Sequence, residues 1–242
     1  MDLRDAFDPR GVVSIVGAGG KKSTLYALAS ALEFAIVTAT VRIPFFDDRV
    51  ERLEVTTEPG RLIRTNERWP LGVVPDRDGD RERYLGYDPE TIDALASKTD
   101  VPVLIKADGA RTRWLKAPKG AEPQIPSGTD LVIPVASVRA VGRALGAECV
   151  HRPERVAAIT GRSMGEPVRP EDVITVLTHE CGGLKGVPED ARVIPLINMV
   201  DDSVLAATAR EIATGALTQP RIERVVLGRM DRGRIVDVVE SE

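Results

Sequence analysis

The run Val12-Val13-Ser14-Ile15-Val16-Gly17-Ala18-Gly19-Gly20-Lys21-Lys22-Ser23-Thr24 constrains this chain more than any other feature. Strand-forming residues pass into three glycines, two lysines and two hydroxyls, and helix formers follow at once from Leu25 to Glu33. Strand, glycine loop and helix together cradle a phosphate: glycines let backbone N–H groups turn toward an anion, and the helix adds its positive N-terminal end. A lysine then neutralises phosphate charge, and a hydroxyl can ligate Mg²⁺. The register departs from the full pattern G-x-x-x-x-G-K-[ST]. Counting back from Lys21 places Ile15 at the first glycine; counting back from Lys22 places Val16 there and Lys21 at the second. The loop is therefore shorter than standard, or its register is unusual. The dinucleotide fingerprint G-x-G-x-x-G fails as well, because Lys22 stands at its third glycine and no acidic residue closes the next strand, Ala35 to Val41. A phosphate loop is the favoured reading over a dinucleotide loop or a plain tight turn.

Apolar runs alternate with helical patterns along the chain. The patterns predict strands over Val12–Val16, Ala35–Thr40, Val101–Ala107, Leu131–Val135, Val193–Ile197 and Arg224–Gly228. They predict helices over Lys22–Glu33, Pro89–Ser97, Arg152–Thr160, Pro170–Leu177 and Ser203–Thr214. This alternation implies an α/β fold, a mostly parallel sheet flanked by helices and P-loop NTPase-like, with ligands beyond the carboxyl ends of the strands. A single domain over 1–242 is expected, with a small β-hairpin excursion over 47–88, where Asp78-Gly79 lies between Val73-Val74 and Tyr84-Leu85. A formal charge of -4 argues against nonspecific nucleic-acid binding. No apolar run is long enough to cross a bilayer, and the N-terminus lacks the apolar core of a signal peptide, so a cytoplasmic chain without membrane or nucleic-acid partners is expected. Its two cysteines fit a reduced compartment.

Chemistry is expected at the strand ends. Gly17, Ala18, Gly19, Gly20, Lys21, Lys22, Ser23 and Thr24 form the candidate nucleotide loop, with Lys21 or Lys22 on the terminal phosphates. Asp108 ends the strand Val103–Ala107 before Gly109, where a carboxylate holds the Mg²⁺ shell with Ser23, directly or through water; Lys21, Lys22 and Asp108 are thus the catalytic candidates. Thr38 and Thr40 close the second strand and are candidate substrate contacts. Arg111, Arg113, Lys116 and Lys119, with Trp114 among them, form a basic cluster able to grip an anionic substrate. Asn198-Met199-Val200-Asp201 resembles the N-K-x-D base-reading element with methionine at the lysine, which makes Asn198 and Asp201 base-reading candidates; Asp201 or Asp202 also suits a helix cap. The pairs Cys149/His151 and His179/Cys181 lack zinc spacing and read as coincidence.

These residues form an ordered series: Gly17 to Lys21, Thr38-Ala39-Thr40, Ala107 to Arg111, Leu115 to Pro118, Glu122 to Pro126, His151 to Glu154 and Asn198 to Asp201. The series resembles the YqeC-like family, named as selenium-dependent (molybdenum) hydroxylase accessory proteins. The resemblance runs from about Val12 to Val226 and implies a P-loop-like nucleotide-binding fold with a role, and a protein partner, in maturing molybdenum hydroxylases. Against the family pattern, Lys22 replaces the Thr or Ser after the loop lysine, Lys106 replaces a glutamate, and Val41-Arg42 stands where a histidine is expected. The expected activity is that of an ATP- or GTP-binding accessory protein, a slow Mg²⁺-dependent NTPase. The alternatives are a P-loop kinase or nucleotidyltransferase acting on a small anionic acceptor, and a non-catalytic nucleotide-sensing scaffold.

Overall fold

The computed structural model describes residues 1–241, with every side chain among them except that of Arg64. Nine strands run across the main sheet, which the short strand Arg192–Val193 joins as a tenth: β1 Val12–Gly17, β2 Ile36–Ala39, β3 Arg52–Val55, β4 Leu71–Val74, β5 Val103–Lys106, β6 Thr129–Ser137, β7 Leu196–Asn198, β8 Arg224–Arg229 and β9 Arg234–Glu240. Six α-helices accompany them: α1 Leu3–Phe7, α2 Lys21–Ala31, α3 Pro89–Ala96, α4 Pro153–Thr160, α5 Pro170–Thr178 and α6 Ser203–Ala216. The order across the sheet is β9-β8-β7-β6-β1-β5-β2-β4-β3, and every pairing along it is parallel except β8 with β9. This is the α/β architecture that the alternating pattern predicts. No helix among the described residues is long and apolar enough to cross a membrane.

Both faces of the sheet are covered, because its strands divide their side chains between two sides. Along β1, Val13 and Ile15 pack in one cluster with Leu25 and Leu28 of α2, while Val12 and Val16 pack in another with Ile92 and Leu95 of α3. Along β8, Val225 and Leu227 join Val176 of α5 and Ala209 of α6, while Val226 joins the α2 side.

The expected strand over Val193–Ile197 is two pieces. Arg192–Val193 pairs with β6, the chain breaks at Ile194-Pro195, and β7 resumes at Leu196. Pro195 brings no N–H to a ladder, which accounts for the break. Residues 47–88 are also more integral than a hairpin excursion. Strands β3 and β4 extend the parallel sheet, and only Arg77–Asp78 and Arg83–Tyr84 form a hairpin, to which Ile43–Pro44 adds a third strand. The charged residues Arg52 and Glu54 on the edge strand β3 mask its strand character in the sequence. The Tyr84 hydroxyl fastens this small sheet by donating to the Asp47 carboxylate at 2.8 Å.

The site follows from the topology. Strand β1 lies between β6 and β5: the chain leaves β1 for β2 on one side and later crosses from β5 to β6 on the other. Such a switch opens a crevice at the strands' carboxyl ends, and the glycine loop between β1 and α2 sits there.

Candidate functional site

The glycine loop turns where only glycine fits. Gly17 has φ +89°, and a Cβ on it would lie 2.4 Å from the Val135 carbonyl oxygen of β6. Gly20 has φ +130°, and its Cβ would lie 2.0 Å from Asn198 Nδ2. The loop's own N–H groups are mostly committed to the protein. Gly17 N donates to Asp108 Oδ2 at 3.0 Å, Ala18 N to the Val135 carbonyl at 2.8 Å and Gly19 N to the Arg113 carbonyl at 2.8 Å. These glycines therefore shape the turn more than they wrap a ligand. The donors left for an anion are Gly20 N at the cap and those of the first turn of α2, Lys21, Lys22 and Ser23, which have no intrahelical acceptor and no side-chain cap. Thr24 is spent inside the helix, donating its hydroxyl to the Gly20 carbonyl at 3.1 Å.

Beneath the loop lies a buried chain of charges. Lys21 Nζ is 3.0 Å from Asp108 Oδ1 and also donates to the Gly17 carbonyl. Asp108 Oδ2 is 2.7 Å from Lys116 Nζ, which in turn lies 2.7 Å from Glu122 Oε2. Arg152 closes the row with two hydrogen bonds to Glu122, at 2.8 and 3.1 Å. Burial lowers the pKa of Lys21, against the pull of Asp108. For Asp108, burial acts to raise the pKa, but the charges of Lys21 and then Lys116 overcome it and hold the carboxyl below its ordinary range. Glu122 is likewise held low against its burial by Arg152 and Lys116. His151, next to this row, is pushed down to about 4 by burial and by the cations Arg152 and Lys116.

Above the loop is a cavity of about 340 Å³, lined by Gly19 to Ser23, Arg42, Pro44, Arg83, Lys106, Gly109 to Arg113 and Met199. Seven cationic side chains line it (Lys21, Lys22, Arg42, Arg83, Lys106, Arg111 and Arg113), and no Asp, Glu or His does. Its 109–113 wall is strained: Arg111 and Thr112 have φ of +47° and +61°. Each costs on the order of 1–3 kcal/mol there, a cost typical of functional loops.

The sequence candidates therefore divide. Gly19, Gly20, Lys21, Lys22, Ser23 and Arg111 meet at the cavity, and Arg113 joins them. Lys116 does not grip a substrate, because its ammonium is buried against Asp108, Glu122 and the Gly109 carbonyl. Lys119 stands outside the cavity lining, as do Thr38 and Thr40. Thr38 is fully buried, and Thr40 ties the 122–126 segment by donating to the Gln124 carbonyl at 2.6 Å. Asn198 is a brace: Nδ2 donates to the Gly19 carbonyl at 2.8 Å, and Oδ1 accepts from Met230 N at 2.9 Å. The Asp201 carboxylate is bridged by Arg139 and by Arg229 at 3.2 Å, so a base would have to displace two guanidinium groups; the cap of α6 is Asp202.

As it is placed, Asp108 carries an ammonium group on each oxygen, which leaves neither oxygen open to ligate Mg²⁺ directly. Ser23 remains a hydroxyl at the cavity. Among the described residues no group of three or more His, Cys, Asp or Glu is placed to hold a metal ion. Glu122 and Arg152 gave no chemical signal in the sequence beyond their place in the resemblance, and Arg83 gave none at all.

Two comparisons bear on this arrangement. The model of the family described as YqeC protein matches residues 13–154. A protein of Escherichia coli (strain K12), described as uncharacterized protein YqeC, is 31% identical over 223 residues, covering 90% of this chain and 86% of that protein.

Proposed function

The chain belongs to the YqeC family, and we propose that it is a P-loop-like protein that binds ATP or GTP in the cationic cavity over the glycine loop. The observation that carries this reading is the cavity lining: seven cations, an uncapped helix N-terminus and no carboxylate. A polyanion is the ligand such a lining suits. In this reading Lys21 and Lys22 answer the terminal phosphates. Lys21 is held ready by Asp108, and Asn198 braces Gly19 so that the first turn of α2 keeps its place. Any Mg²⁺ arrives with the phosphates, within reach of Ser23.

Hydrolysis in this site is slow, because no carboxylate or histidine lines it to serve as a general base for water. Slow turnover suits an accessory protein whose partner governs the step. The role in maturing a molybdenum hydroxylase, and the partner that it implies, rest on the family resemblance. The free thiols Cys149 and Cys181 suit a reducing, cytoplasmic setting.

Incubation with γ-labelled ATP or GTP and Mg²⁺ tests the reading. Labelled free phosphate should accumulate at about 10⁻⁴ to 10⁻³ per second, the scale of an NTPase lacking a supplied arginine. Binding without any release would leave the nucleotide-sensing scaffold; neither binding nor release would end the proposal.

A further inference from the structure

The cavity carries more positive charge than one nucleotide uses. Of its seven cations, Lys21 is paired with Asp108 and Arg42 with Asp78 at 2.7 Å. Lys22, Arg83, Lys106, Arg111 and Arg113 have no carboxylate within ion-pair distance among the described residues. A triphosphate carries about four negative charges, of which a bound divalent cation cancels about half. Charge is therefore left over. Lys106 Nζ donates to the Arg42 carbonyl at 2.8 Å, and Pro44, two residues on, pairs with Arg83. Lys106 is 7% exposed, with a carbonyl as its one hydrogen-bond partner. A buried ammonium without a counter-ion is costly unless an anion arrives to meet it. The small sheet over 43–84 brings Arg83 to the cavity that Lys21, Lys22 and Ser23 also line.

We propose that Lys106, Arg83 and Arg42 form a second anion subsite, which takes the phosphate or carboxylate group of a small molecule while the nucleotide occupies the glycine loop. This rests on the nucleotide reading for its occupancy beside a nucleotide, although the subsite itself stands on the cluster alone. It also moves the grip on an anionic co-substrate away from Lys116, which is enclosed, to Lys106 and Arg83, which no carboxylate pairs, with Arg42 beside them on Asp78.

The test is calorimetric titration of inorganic phosphate, and in a second arm malonate, into full-length protein preloaded with a non-hydrolysable ATP analogue and Mg²⁺. Binding of either probe to the loaded protein is expected, and the stronger of the two identifies the group. Lys106→Met and Arg83→Ala should each weaken probe binding tenfold or more, and by a larger factor than they weaken binding of the analogue. Lys22→Ala should do the reverse. Arg83 is exposed, so its variant keeps the test sound should Lys106→Met fold poorly. Neither probe binding the loaded protein, or binding unchanged in both variants, overturns the subsite. If no nucleotide binds but phosphate binds the free protein and is lost in Lys106→Met, the nucleotide reading falls and the subsite stands.

Discussion

Replacing Asp108 by asparagine lowers the unfolding free energy by about 3–5 kcal/mol, the usual cost of removing one partner from a buried ion pair. Asp108 is 1% exposed and holds Lys21, Lys116 and the Gly17 N–H at once. Asparagine keeps the shape but removes the charge. Lys116 retains Glu122, whereas Lys21 loses its one carboxylate partner. The pH dependence carries a definite sign. The folded carboxyls of Asp108 and Glu122 are held below their ordinary values, so the folded state binds fewer protons than the unfolded chain. Their contribution is present above the ordinary carboxylate range and is lost as pH falls through the depressed values. Urea unfolding followed by circular dichroism at pH 7 and at about pH 2.5, below the ordinary carboxylate range, checks both points. The wild type should lose stability on acidification more steeply than Asp108→Asn, and equal urea midpoints for the two proteins at pH 7 would show that the charge row contributes nothing.

Lys106→Met is expected to stabilise the protein. Burial, with the nearby Lys21 charge, pushes the Lys106 pKa down from 10.5 to about 7. Between those values the unfolded chain holds a proton that the folded protein has released, so stability rises with pH across that window, and below about pH 7 the full penalty of the buried cation applies. At pH 6 methionine should therefore gain on the order of a few kcal/mol, less about 1 kcal/mol for the lost bond to the Arg42 carbonyl. Thermal melts of both proteins at pH 6 and pH 9 read this as a higher Tm for the variant at pH 6 and a smaller gap at pH 9. A variant that melts lower at both would mean that Lys106 is better accommodated than its surroundings imply.

What could be read from the sequence depended on how far apart the interacting residues lie. Strand β1, the glycine loop and α2 are contiguous, and their alternation, glycines and helix formers signal locally, so this unit and its place at a strand end were legible. The charge row was not. Lys21, Asp108, Lys116, Glu122 and Arg152 meet only because β1 and β5 are neighbours in the sheet and the segments after β5 fold back over their ends. A sequence shows Asp108 before a glycine and suggests a metal ligand; it does not show that two lysines claim its oxygens. Arg83 was silent for the same reason, since its relevance arises from pairing with Pro44 near the cavity. Asn198 was noticed for its likeness to a base-reading element, yet its amide ties two loops whose contact no local pattern encodes.

Nucleotide binding at the glycine loop is tested most directly by calorimetric titration of Mg-ATP and Mg-GTP into the wild type, Lys22→Ala and the Lys21→Ala/Lys22→Ala double variant, with folding of each verified by circular dichroism. Lys116 still partners Asp108 in the double variant, so the fold is expected to survive it. One equivalent of nucleotide should bind the wild type, Lys22→Ala should bind it more weakly, and the double variant should lose at least a hundredfold in affinity. A folded double variant with wild-type affinity, or a wild type that binds neither nucleotide, would contradict the assignment of this cavity.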